Sequence, residues 1–167
     1  IHNNTTSWAG GGVGIHNYLD FQETKVDNAT AIIRTGRPGD FTIRDCEITG
    51  NSTTGTDGNC SGGGGIGITS DLRRSELYKV DSGTVNIIDT VVERNTTTLA
   101  GGGIYCGYNG TNNISGGSIS NNTSGTAATT AIDATNKYKY SGGAVAVRNN
   151  TTTIKDGTLI TGNTSGV

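Results

Sequence analysis

Three aspartates, Asp45, Asp89 and Asp156, each stand two residues after an isoleucine in a recurring context. Two carboxylates at a set separation are what acid–base cleavage of a polysaccharide requires, so a polysaccharide-active enzyme would rest on these side chains. The remaining copy of the position is Gly116, and no His, Lys or Arg recurs beside the aspartates. A position held by Asp in three copies reads more simply as a turn residue. No catalytic residue is assigned.

Asparagine offers a second chemistry. Of the 17 asparagines, 13 begin an Asn-x-Ser/Thr sequon, more than the Ser and Thr content alone would supply; such sequons are the acceptors of N-linked glycans. Five of them, Asn4, Asn51, Asn95, Asn122 and Asn163, lie inside a repeat, where the hydroxyl residue has a structural reason to be present. Asn28, Asn59, Asn109 and Asn149 fall on expected loops and are the candidate glycosylation sites, while Asn3, Asn113, Asn121 and Asn150 complete the set.

Other motifs reduce to architecture. Gly62-x-Gly64-x-x-Gly67 has the spacing of a dinucleotide fingerprint but lacks the strand before it and the helix after it that such binding needs. Gly11-Gly12-Val13-Gly14-Ile15-His16 is similar to a calcium-binding nonapeptide, yet His16, and Thr69 in the next copy, replace the Asp ligand, and the nine-residue period is missing. His2 and His16 are the only histidines, and two ligands without a third do not make a catalytic zinc site. Thr96-Thr97-Thr98 and Thr151-Thr152-Thr153 do not recur at one repeat position, so they do not form the regular array that ice binding requires. Cys46 and Cys60 are close enough in sequence for a disulfide, subject to geometry. Cys106 takes the inward place of Ile68 and Val147, as a small apolar residue does. No metal or cofactor is called for.

The elements that position these residues emerge when the chain is slid along itself. An Ile/Val-x-x-Asn motif followed by two hydroxyl residues occurs at Ile1–Thr6, Ile48–Thr53, Val92–Thr97, Ile119–Ser124 and Ile160–Ser165. Between copies lies a glycine pair with alternating apolar residues: Gly11-Gly12-Val13-Gly14-Ile15, Gly64-Gly65-Ile66-Gly67-Ile68, Gly102-Gly103-Ile104-Tyr105-Cys106 and Gly142-Gly143-Ala144-Val145-Ala146-Val147. Ile43, Ile87, Ile114 and Ile154 precede the later Asn motifs. Short strands with a period of two point one set of side chains inward. Ile68, Ile104 and Val145, then Ile43, Ile87, Ile114 and Ile154, then Ile48, Val92, Ile119 and Ile160 form the expected core.

Composition agrees. Apolar residues make up 31 % of the chain and charged residues 16 %, with a net charge of −2 and 28 glycines. Ordinary globular domains carry roughly 45–50 % apolar residues, glycine included, so a large layered core is not expected, and disordered chains carry more net charge than this. A thin-cored solenoid fits both facts. The predicted fold is all-β: a right-handed parallel β-helix of about four rungs, with three strands per rung and glycine pairs at the corners. The usual hand of parallel crossovers sets the handedness. Insertions fall at 16–40, 69–84 and 124–140. Asn4, Asn51, Asn95, Asn122 and Asn163 are expected to stack as a structural ladder. One segment, 1–167, is expected. It begins at Ile1 rather than Met and shows no cap at either end, as a window of a longer solenoid or an end-to-end stacking unit would.

The Gly142-Gly143-Ala144-Val145 and Ile48-x-x-Asn51 motifs, with their relatives, resemble the polymorphic membrane protein repeats of bacterial autotransporter adhesins, which carry Gly-Gly-Ala-Ile and Phe-x-x-Asn tetrapeptides. Ile or Val stands here wherever that family has Phe. The resemblance implies a β-helical passenger presented outside the cell. The expected function is therefore a non-enzymatic extracellular structural or adhesive solenoid, glycosylated at loop sequons. The alternatives are a polysaccharide-active β-helix enzyme, or a glycan-binding module using Tyr18, Tyr78, Tyr108, Tyr138 and Tyr140. Expected partners are further rungs, a second copy, glycans or a cell surface. The weak charge argues against nucleic acid, and no apolar run is long enough to span a membrane.

Overall fold

The computed structural model of the chain describes residues 1–17, 20–26, 29–35, 40–56, 62–70, 83–107, 110–126, 141–148 and 150–166. Residues 1–6 form a half turn ending in β1 (Thr5–Thr6). The first full turn holds β2 (Val13–Asn17), an inserted hairpin of β3 (Asp20–Val26) and β4 (Ala29–Thr35), and then β5 (Phe41–Arg44), β6 (Glu47–Thr49) and β7 (Ser52–Thr53). The second turn holds β8 (Ile66–Ser70), β9 (Thr84–Ile88), β10 (Val91–Glu93) and β11 (Thr96–Thr97). The third comprises β12 (Ile104–Gly107), β13 (Thr111–Ser115), β14 (Ser118–Ser120) and β15 (Thr123–Ser124). The fourth comprises β16 (Val145–Arg148), β17 (Thr151–Lys155), β18 (Leu159–Thr161) and β19 (Thr164–Ser165).

Each strand pairs in parallel with its equivalent one turn away, giving sheets ordered β2-β8-β12-β16, β5-β9-β13-β17, β6-β10-β14-β18 and β1-β7-β11-β15-β19. The chain is thus a parallel β-helix of about four rungs. Among the described residues only β3 and β4 pair antiparallel, from Asp20↔Thr35 to Val26↔Ala29; they lie within the insertion at 16–40. The equivalent segments 71–82 and 127–140 of the other insertions lie outside the described residues.

Register carries the packing. Ile43, Ile87, Ile114 and Ile154 stand one above another, as do Ile48, Val92, Ile119 and Ile160. With rungs about 4.8 Å apart, isoleucine packs on isoleucine along the axis. Ile48, Val92 and Ile119 are at most 1 % exposed, and full burial of such a side chain is worth about 1.5–3 kcal/mol. The glycine-pair strand contributes two inward columns, Val13–Ile66–Ile104–Val145 and Ile15–Ile68–Cys106–Val147. Ile68 therefore belongs with Cys106, two residues along the strand from the column shared by Ile104 and Val145.

Two expectations need correction. Each turn has four strands, not three. The fourth strand is the hydroxyl pair that follows each asparagine, which has no apolar residue to mark it. Its second member faces inward: Thr53, Thr97 and Ser124 are fully buried. The Thr53 hydroxyl donates to the Gly63 carbonyl (3.1 Å), and the Thr97 hydroxyl accepts from the Leu99 N–H (3.2 Å). A short strand of small hydroxyl residues thus closes each turn.

The second correction concerns the glycine corners. In the first three copies the left-handed backbone falls on the residue before the quoted pair, at Gly10, Gly63 and Gly101 (φ 71–73°); in the fourth it falls on Gly142 (φ 76°). The next position, Gly64 in the second turn, needs glycine for space. A Cβ there would press on the Thr96 carbonyl and lie 2.5 Å from the Gly102 carbonyl oxygen.

Candidate functional site

The most ordered polar feature lies at the corner before the hydroxyl strand. Asn51, Asn95 and Asn122 are each 0 % exposed. Each ladder asparagine donates from Nδ2 to Oδ1 of the next: Asn4 to Asn51 (3.0 Å), Asn51 to Asn95 (3.0 Å), Asn95 to Asn122 (3.0 Å) and Asn122 to Asn163 (2.9 Å). The backbone N–H of each donor residue reaches the same oxygen, at 2.9–3.0 Å. The other Nδ2 hydrogen turns back to a carbonyl of the preceding turn: Asn95 to Ile48 O (2.9 Å), Asn122 to Val92 O (2.9 Å) and Asn163 to Ile119 O (2.8 Å). Buried amides this fully bonded are inexpensive to bury and fix the stacking of the rungs. The Nδ2-to-Oδ1 bonds all run toward the later turn, so the amide-to-amide ladder has a direction.

The corner residues explain the aspartates. Asp45, Asp89 and Asp156 have φ of 51°, 47° and 54°, and Gly116, at the same corner, has 63°. Asp and Gly occupy this left-handed region more readily than other residues. The Asp45 N–H donates to Ile88 O (3.1 Å) and the Asp89 N–H to Ser115 O (2.9 Å), so their backbones take part in rung pairing. All three side chains are exposed; the Asp156 carboxylate pairs with Lys155 (3.5 Å). The last copy carries Gly157 as its additional residue, also left-handed (φ 78°).

A second corner column contains Asn3, Gly50, Arg94, Asn121 and Gly162, all with positive φ between 53° and 66°. Arg94 is the residue least suited to it, and its exposed ion pair with Glu93 (3.3 Å) adds little. Arg94→Gly should therefore raise stability by about 0.5 kcal/mol, relief of the left-handed backbone outweighing the entropy gained by the unfolded chain. Urea denaturation of the two proteins checks this.

The remaining sequence candidates fall as follows. Asn28, Asn59, Asn109 and Asn149 lie outside the described residues, as do Cys60 and Tyr18, Tyr78, Tyr108, Tyr138 and Tyr140. His2 Nδ1 is bonded to Thr49 Oγ1 (2.7 Å) and His16 Nδ1 to Thr69 Oγ1 (2.9 Å), on different sheets; His16 also lies beside Trp8 (ring centroids 5.8 Å apart). Among the described residues no three His, Cys, Asp or Glu side chains gather as a metal site, and no helix is long and apolar enough to cross a membrane. Gly62, Gly63 and Gly64 form a corner, and Gly67 lies in β8 against Ala9 and Gly10.

Cys46 and Cys106 are free thiols. Cys106 lies in the core, where burial pushes its thiol from 9.0 up to about 12, a hydrogen bond to Thr152 partly offsetting the effect. The neutral thiol is thus favoured in the folded state. Above pH 9 the unfolded chain loses the proton first, so stability should fall as pH rises from about 9 toward 12. Alkylation at pH 8 should label Cys46 and leave Cys106 unmodified until the fold opens, as mass mapping of the digested protein would show.

One regular surface was not read from the sequence. Thr5, Ser52, Thr96, Thr123 and Thr164 stand in register on the outside of the fourth sheet. Thr96 Oγ1 donates to Ser52 Oγ (3.1 Å), and the Thr123 and Thr164 hydroxyls lie 3.0 Å apart. The signal was present, since a hydroxyl residue follows every ladder asparagine. The Thr151–Thr153 run lies on a different sheet, in β17. Comparison of the chain with models of known families, with curated proteins and with solved structures finds no match.

Proposed function

We propose that this chain is a non-enzymatic, extracellular structural or adhesive β-solenoid: a rigid spacer or fibre segment whose insertions carry recognition. The observation that carries the reading is the unbroken asparagine ladder, flanked by the Ile48–Val92–Ile119–Ile160 column on one side and by the inward hydroxyl column on the other. Such stacking resists bending along the axis, and among the described residues no charged side chain is buried. The aspartates that a polysaccharide-cleaving reading would use have left-handed corner backbones, which supplies a structural reason for their recurrence. The Gly-Gly-x-Ile and Ile-x-x-Asn motifs resemble adhesin passengers and favour presentation outside the cell. The half-exposed Ile154 and Ile160 of the fourth turn, which stand in the inward columns, favour further coil as a partner, from a longer chain or a second copy. Loops carry recognition most readily, so a glycan or cell-surface partner is assigned to the insertions.

Electron microscopy of the native material tests this. Stiff rods whose length grows in steps of whole solenoid units are expected. Cleavage of an offered polysaccharide that Asp45→Asn or Asp89→Asn abolishes would overturn the reading.

A further inference from the structure

We infer that this fold sorts its own glycosylation sequons: the ladder positions Asn51, Asn95 and Asn122 must stay bare for the coil to form, whereas the adjacent corner asparagine Asn121 can carry an N-linked sugar. N-glycosylation replaces one Nδ2 hydrogen with a bond to the anomeric carbon of a sugar. An activated glycosyl diphosphate supplies the sugar; the diphosphate leaves and the proton passes to solvent. At Asn95 both Nδ2 hydrogens are used, one on Asn122 Oδ1 (3.0 Å) and one on Ile48 O (2.9 Å). At Asn122 they go to Asn163 Oδ1 (2.9 Å) and Val92 O (2.9 Å). At Asn51 they go to Asn95 Oδ1 (3.0 Å) and Ile1 O (3.2 Å). A sugar on that nitrogen removes a buried bond and needs space between rungs that stand about 4.8 Å apart.

The sequon itself is a by-product of the coil. The ladder requires Asn, the next residue faces out from the fourth sheet, and the one after it faces in as a small hydroxyl. That third residue is the Ser or Thr of the sequon: Thr53, Thr97 and Ser124, each fully buried. In the folded protein, therefore, neither the amide nor the hydroxyl of these three sequons can be reached. Asn121 begins an overlapping sequon one residue earlier, with opposite properties. It is exposed, sits at the left-handed corner (φ 54°), makes a single side-chain bond to Glu93 Oε1 (3.3 Å), and has the outward Thr123 as its hydroxyl residue. An export route that transfers glycans to the unfolded chain would consequently compete with folding at three places. This inference stands on the ladder geometry and not on the proposed function.

The test uses three full-length chains: one unmodified, one bearing a single N-acetylglucosamine on Asn95, and one bearing it on Asn121, the last two assembled by ligation. After refolding, the Asn121 form should show the same β-sheet circular dichroism, protease resistance and melting as the unmodified chain. The Asn95 form should show none of the three. Cooperative native-like melting of the Asn95 form would overturn the inference, and so would failure of the Asn121 form to fold.

Discussion

Asn95→Ala should cost about 4 kcal/mol, a large share of the coil's stability. The side chain takes part in four hydrogen bonds in a dry interior. It accepts from the Asn51 N–H (2.9 Å) and Asn51 Nδ2 (3.0 Å), and donates to Asn122 Oδ1 (3.0 Å) and Ile48 O (2.9 Å). Alanine removes a partner from each of them, although Asn122 Oδ1 keeps the Asn95 N–H (2.9 Å) and Asn51 Nδ2 keeps Ile1 O (3.2 Å); each buried group left short of a partner costs about 1–3 kcal/mol. A small domain has only about 5–15 kcal/mol in total. The effect should be graded along the ladder. Asn51→Ala and Asn122→Ala should approach Asn95→Ala, while Asn163→Ala, at a partly exposed position, should cost about 1 kcal/mol because water replaces the lost partner. Urea unfolding followed by circular dichroism across the series gives the ranking, and equal costs at Asn95 and Asn163 would contradict a cooperative buried ladder.

Gly64→Ala should be comparably damaging for a different reason. The new Cβ would press on the Thr96 carbonyl and stand 2.5 Å from the Gly102 carbonyl oxygen. Both are backbone atoms held by rung pairing, so neither gives way as a flexible side chain does. Overpacking a core costs about 1–3 kcal/mol where side chains can shift, and more is expected where they cannot. Gly157→Ala is the control. Nothing lies within 4 Å of its Cβ position, although its φ is 78°, so only the left-handed penalty of about 1–2 kcal/mol applies. Thermal melting of the two variants separates a loss of space from backbone strain.

Much of the architecture was legible because its cause is periodic. Ile48, Val92, Ile119 and Ile160 recur with an asparagine three residues later, and stacking turns that recurrence into contact. The fourth strand was not legible, because Thr96-Thr97 and its equivalents carry no apolar residue and read as turns. Their inward burial depends on coil closure, a property of the whole rung. The Asp45 corner could be read as a turn, but its neighbouring corner, shared by Gly50, Arg94 and Asn121, could not, since Arg94 breaks the residue pattern while keeping the backbone. Antiparallel β3 and β4 fall within the first expected insertion, whose outer bound also took in His16 and Asn17 of β2; such segments have no periodic signal from which to read a binding chemistry.

The most direct test of the ladder is hydrogen exchange of the asparagine side-chain amides, followed by nuclear magnetic resonance. The Nδ2 hydrogens of Asn51, Asn95 and Asn122 should exchange only through global unfolding, at one common and slow rate, while those of Asn3 and Asn121 exchange at once. Rapid exchange at Asn95 in the folded protein would mean that the amides are not stacked in a buried ladder, and the rung-to-rung packing derived from them would fall with it.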